Sequence, residues 1–137
     1  MRRIFIDTSA WMAYYLSDEP DHIQIKNLIK GLIKKHINII TSNDVIDETV
    51  TNLIYTNPKV VKKFIDFIIE GTKTQALLQF WVDEQIQSEG FELVQKFSEH
   101  KLSLTDATSI ALIKKFSIES VMSLDADFTK VGIPTLP

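Results

Sequence analysis

The chain has 137 residues, 45% of them hydrophobic and 24% charged, which suits one domain with a core of its own. It contains no cysteine, which excludes disulfides, thiol catalysis and zinc–cysteine sites, and no apolar run near the roughly 20 residues that span a bilayer. Its net charge of −3 sets it apart from strongly basic nucleic-acid binders, and Met1-Arg2-Arg3 leads into no signal-like apolar segment, so a cytoplasmic location is expected.

The first element is Ile4-Phe5-Ile6, a buried strand that runs straight into Asp7. Thr8 and Ser9 favour a helix N-cap, so Asp7 is expected at the carboxyl end of a strand where a helix begins. Ligands of open parallel sheets bind at that edge. Taken alone, Asp7 reads better as a capping or turn residue, and it is the recurrence of acids at similar positions downstream that points to a site. A short helix follows over Ala10 to Leu16, with Trp11, Met12 and Tyr15 assigned to the core. Ile25, Leu28, Ile29 and Leu32 recur at helical spacing, which predicts a helix ending near His36. Ile37 to Thr41 is a second strand. Ser42, Asn43 and Asp44 cap a helix that stops before Pro58.

Lys59 to Glu70 reads as a helix ended by Gly71. Its apolar residues cover more than half its circumference, as in a helix that is deeply buried or packed on a second subunit. Leu77 to Val82 is a third strand, although its apolar run would equally close a helix. Asp83 to His100 is helical with Gly90 as an interruption, and a further helix runs from about Asp106 to Phe116. Glu119 to Leu124 contains a fourth strand, followed by Asp125, and Ile133 to Leu136 a short last one. Strands alternating with helices imply a mainly parallel sheet with right-handed crossovers.

Carboxylates recur at corresponding places. Asp125, with Asp127 two residues on, repeats the strand-then-acid pattern of Asp7. Asp106 shares a helix face with Ile110 and Ile113 and so points along a buried stripe, or else caps its helix locally. Periodicity does not choose among Asp44, Asp47 and Glu48. The three histidines lie in separate segments without ligand spacing, and with four glycines there is no phosphate-cradling loop. Lysines cluster at 26, 30, 34 and 35, at 59, 62 and 63, and at 114 and 115, either as solvated helix faces or, if they line one groove, as a phosphate track. Acids gathered at one edge repel, by about 1 kcal/mol per close pair in water and about 4 at an effective dielectric of 20. Hard oxygen ligands without histidine or cysteine favour Mg2+ or Mn2+, and such ions suit phosphodiester hydrolysis.

Four blocks in order, IFIDTSAW, SNDVIDETVTNL, LSLTDATSIAL and VMSLDADF, make the chain resemble the PIN-domain nucleases, especially the VapC-like toxins of toxin–antitoxin pairs. The resemblance implies an α/β fold with a central five-stranded parallel sheet in the order 3-2-1-4-5, flanked by helices, with residues 1–137 forming a single domain. It implies a Mg2+- or Mn2+-dependent endoribonuclease whose partners are RNA and an antitoxin protein. It selects Glu48 among the helix acids. Asp7, Asp106 and Asp125 would hold metal, Glu48 would complete the site, Asp127 would be an auxiliary ligand, and Thr8 or Thr105 would hydrogen-bond a carboxylate or phosphate. A homodimer is expected from the apolar Lys59–Glu70 helix. The alternative is a PIN-like fold serving RNA processing or RNA binding with a weak or inactive site. The segment Asp125-Ala-Asp127-Phe-Thr129 also matches the nucleophile motif of haloacid-dehalogenase-type phosphatases, but that motif opens its domain and here only eight residues follow it.

Overall fold

The computed structural model describes residues 2–137. Five parallel strands form one sheet: β1 (Arg3–Ile6), β2 (Asn38–Ser42), β3 (Leu77–Phe80), β4 (Ser120–Met122) and β5 (Thr135–Leu136), in the order β3-β2-β1-β4-β5. The helices are α1 (Thr8–Tyr15), α2 (His22–Lys34), α3 (Asn43–Thr56), α4 (Val61–Thr74), α5 (Glu84–Lys96), α6 (Leu104–Lys115) and the short α7 (Asp127–Lys130). The expected strand order is the one observed. Because Ile4, Phe5 and Ile6 are fully buried, β1 must be covered on both faces, and the centre of the sheet is where that happens. The register pairs Phe5 with Ile40 and with Val121, which brings the ends of β1, β2 and β4 to one level. Among the described residues, no helix is long and apolar enough to cross a membrane.

Four local expectations are corrected. Thr8 and Ser9 are not caps but the first residues of α1; the N-cap position is Asp7 itself, and its side chain makes no cap hydrogen bond. Gly71 does not end α4, which continues to Thr74 and closes at Gln75, a left-handed residue with φ 65°. A Cβ at Gly71 would lie 3.1 Å from the Leu77 Cβ, so this glycine lets the helix approach β3. Gly90 does not interrupt α5: a Cβ there would lie 2.7 Å from Thr108 Cγ2, so its role is close contact between α5 and α6.

The fourth concerns α4, which is amphipathic rather than apolar all round. Phe64 and Ile68 are buried, and Trp11 meets Phe64 and Phe67 edge-on with ring centroids 5.6 and 5.7 Å apart. Ile65 and Ile69 face outward, as do Ile54 and Tyr55 of α3.

Candidate functional site

Asp7 follows β1 directly, and its backbone N–H donates to the Met122 carbonyl at 3.0 Å, so the acid sits where β1 meets β4. The side chain is only 3% exposed. Its Oδ2 accepts from the hydroxyls of Ser123, at 2.9 Å, and Ser9, at 3.1 Å. Its Oδ1 is buried with no hydrogen-bond partner. Burial raises the Asp7 pKa, the Ser123 hydroxyl, the Thr8 amide and the Ser9 hydroxyl pull it back, and the Glu48 charge adds to the rise.

Asp106 lies in the first turn of α6. Ser103 is the N-cap and the two form a capping box: the Asp106 amide donates to the Ser103 hydroxyl at 3.0 Å, and Asp106 Oδ2 accepts from the Ser103 amide at 3.4 Å. Both readings of this residue therefore hold at once, because one oxygen caps the helix while the carboxylate stays among other acids. Its carboxyl is pushed up to about 7, first by burial and then by the charges of Asp7 and Asp125.

Asp125 and Asp127 come from the loop after β4 and the start of α7, and the Asp127 amide donates to Asp125 Oδ1 at 3.0 Å. One carboxylate oxygen from each of Asp106, Asp125 and Asp127 lies within 4.8 Å of the other two, a spacing suited to one cation. Glu48, half-buried on α3, adds its charge at Asp7, whereas the neighbouring Asp47 is exposed. Asp44 is occupied otherwise, accepting from the Thr108 hydroxyl at 2.9 Å and so tying α3 to α6.

All five acids named from sequence are thus brought to the same end of the sheet. The two threonines differ. Thr8 is buried, and its hydroxyl has no partner. Thr105 is half-buried, and it is its carbonyl that is engaged, accepting from the hydroxyls of Thr108 and Ser109. The residues that contact Asp7 are Ser9 and Ser123, which sequence reasoning passed over. The only available signal was their position, two residues after one acid and two before another. Of the lysine clusters, Lys26, Lys30 and Lys63 line one groove of about 840 Å³ beside α2 and α4, but Asp66 and Glu70 line it too, and the other clustered lysines do not.

The sequence model of the PIN domain matches residues 4–134. The chain is 27% identical over 129 residues to the 23S rRNA-specific endonuclease VapC20 of Mycobacterium tuberculosis, covering 94% of each sequence. The crystal structure of that protein, described as a sarcin–ricin loop cleaving toxin, superposes with a TM-score of 0.83 at 27% identity over 95% of each chain. FitAcB from Neisseria gonorrhoeae (TM-score 0.63, 15% identity, 98% of this chain and 96% of that one) shares the fold. So does a chain of a toxin–antitoxin complex from Klebsiella pneumoniae (TM-score 0.61, 16% identity, with the same coverage).

Proposed function

The chain belongs to the PIN-domain family, in its VapC-like branch, and from that premise we propose that it is a divalent-metal-dependent endoribonuclease, the toxin of a toxin–antitoxin pair. The observation that carries the reading is the triad of Asp106, Asp125 and Asp127 oxygens within 4.8 Å, together with the buried, unpartnered Oδ1 of Asp7. A buried carboxylate oxygen without a partner is costly, and a cation would relieve it. The donor set suits Mg2+ or Mn2+, being all carboxylate oxygen with no histidine or cysteine.

In this reading Asp7, Asp106, Asp125 and Asp127 hold the ion. The ion supplies polarisation of the phosphodiester and a water of lowered pKa. Glu48 lies beside Asp7, half open to solvent, where a carboxylate accepts a hydrogen bond from the attacking water and turns its lone pair toward phosphorus. As the water oxygen bonded to phosphorus it would pass a proton to Glu48, the bond from phosphorus to the 3′-oxygen would break, and that oxygen would take a proton from solvent, so the products would carry a 5′-phosphate and a 3′-hydroxyl. Thr105, half-buried at the start of α6, would donate its hydroxyl to a phosphate oxygen. The protein partner is an antitoxin, as the toxin–antitoxin complex of similar fold suggests, and the location is cytoplasmic. The outward Ile54, Tyr55, Ile65 and Ile69 supply the contact of a homodimer.

Because VapC20 acts on 23S rRNA, an rRNA hairpin is the first substrate to try. Cleavage is expected in millimolar Mn2+ and not in EDTA, and Asp7→Asn or Asp125→Asn should abolish it while leaving the far-UV circular dichroism intact. Undiminished cleavage in EDTA, or an active Asp7→Asn protein, overturns the proposal.

A further inference from the structure

The two serines that meet Asp7 also meet the loop carrying the other acids. The Ser123 hydroxyl accepts from the Asp125 amide at 3.0 Å and donates to Asp7 Oδ2 at 2.9 Å. The Ser9 hydroxyl accepts from the Leu124 amide at 2.9 Å and donates to the same Oδ2 at 3.1 Å. The hydroxyls lie 3.2 Å apart, closing a compact triangle with the carboxylate.

Proton accounting gives this arrangement a direction. A serine hydroxyl has one proton to donate, and each of these receives a backbone N–H on its lone-pair side. Each proton has two acceptors in reach, the other hydroxyl at 3.2 Å and Asp7 Oδ2 at 2.9 or 3.1 Å, and the nearer, charged carboxylate oxygen is the stronger, so both protons turn toward the same Oδ2. Oδ2 is taken and Oδ1 is left bare. Rotating the carboxylate by half a turn would exchange the oxygens but would leave the chemistry of each position unchanged: one position is hydrogen-bonded, the other open. Through the same hydroxyls the Leu124 amide is tied to the start of α1 and the Asp125 amide to Asp7, and Asp125 in turn accepts from the Asp127 amide. The acid after β1 and the acids after β4 are separated by more than a hundred residues in sequence; the β1–β4 pairing brings their backbones together, and these two hydroxyls are the side-chain link between Asp7 and the loop of Asp125.

We propose that Ser9 and Ser123 are positioning residues for the metal: they hold Asp7 with one oxygen free toward the ion and set the distance between that oxygen and Asp125. This inference rests on the nuclease reading only in that the site takes a divalent ion; it does not depend on what the ion then does. It differs from a packing role, because it needs the hydroxyls and not merely their volume.

The test is Mn2+ affinity, measured on the full chain by the electron paramagnetic resonance of free Mn2+. The variants are Ser9→Ala, Ser9→Thr, Ser123→Ala and the double alanine. Ser9 is only half-buried, so its truncation spares the fold; circular dichroism in EDTA checks this for each variant. Loss of groups that orient a ligand costs roughly 10- to 100-fold in metal affinity. Ser9→Ala and the double alanine should weaken Mn2+ binding within that range, and Ser9→Thr, which keeps the hydroxyl, should restore most of it. On RNA, kcat should fall in Ser9→Ala with KM little changed. Folded alanine variants that bind Mn2+ like the wild type overturn the inference, as does a Ser9→Thr protein as weak as Ser9→Ala. A wild type that binds no Mn2+ also overturns it. A wild type that binds Mn2+ and cleaves no RNA overturns the nuclease reading instead, and the serine inference is then decided by the affinities alone.

Discussion

Asp106→Asn tests the charge tension of the site by stability alone, with no substrate present. In the metal-free protein burial and the charges of Asp7 and Asp125 push the Asp106 carboxyl from 3.8 up to about 7. The folded chain therefore keeps a proton that the unfolded chain releases, over the window from about pH 4 to pH 7. Where the folded state binds more protons, stability falls as pH rises. Below the window both states are protonated and there is no penalty; above it both are ionised and the penalty is complete. About three pH units at 1.36 kcal/mol each set a ceiling near 4 kcal/mol. Residual exposure of the side chain, 9%, and relaxation of the neighbouring acids reduce this, and a gain of about 1–2 kcal/mol is expected for the amide at pH 8. The amide oxygen still accepts from the Ser103 N–H, so the cap survives. The assay is thermal melting of wild type and variant in EDTA at pH 5 and pH 8. The variant should melt about 3–6 °C higher at pH 8, with less than half that advantage at pH 5. Millimolar Mn2+ should reverse the order, since an ion binding only the folded state adds about 2.7 kcal/mol at 100 times its dissociation constant. A variant no more stable than the wild type at pH 8 in EDTA would show that the site holds no such tension and that Asp106 serves as a helix cap alone.

Other outcomes are expected. Glu48→Gln should cut RNA cleavage at least 100-fold, whereas Asp47→Asn, on an exposed side chain, should leave it within a factor of two or so; steady-state rates on one RNA decide it, and equal losses would reassign the helix acid. Gly90→Ala should destabilise by about 1–3 kcal/mol in urea unfolding, because its new Cβ would lie 2.7 Å from Thr108 Cγ2. Ile65→Glu with Ile69→Glu should shift a dimer toward monomer in sedimentation; a wild type that stays monomeric at micromolar concentration removes the dimer.

Much of this was legible in the sequence, for reasons that differ by residue. Asp7 stood out because three buried apolar residues leave an acid nowhere to go but the strand's end. Asp106 stood out because helical spacing aligned it with Ile110 and Ile113, all three buried in the fold. Glu48 was not legible by period: the buried stripe of α3 runs through Val45, Thr49 and Leu53, and Glu48 lies on its flank, where only the position of β1 gives it a neighbour. Family resemblance, not periodicity, picked it out. Gly71 and Gly90 were misread as breaks because sequence shows what a glycine lacks and not what lies opposite it. Ser9 and Ser123 were missed because a hydroxyl has no pattern, and their partners lie across the sheet.

The strand order has a consequence in time. β1 is made before the rest of the sheet, yet its neighbour β4, with Ser123, Asp125 and Asp127, follows only after β2, β3 and six helices. Synthesis at about 5–20 residues per second leaves Asp7 without these partners while more than a hundred residues are added. A nascent chain can build β1, β2 and β3 and their helices while the acid edge is still incomplete. An enzyme that cuts RNA would in this way stay harmless to the ribosome and message making it until β4 and the acids after it had been added.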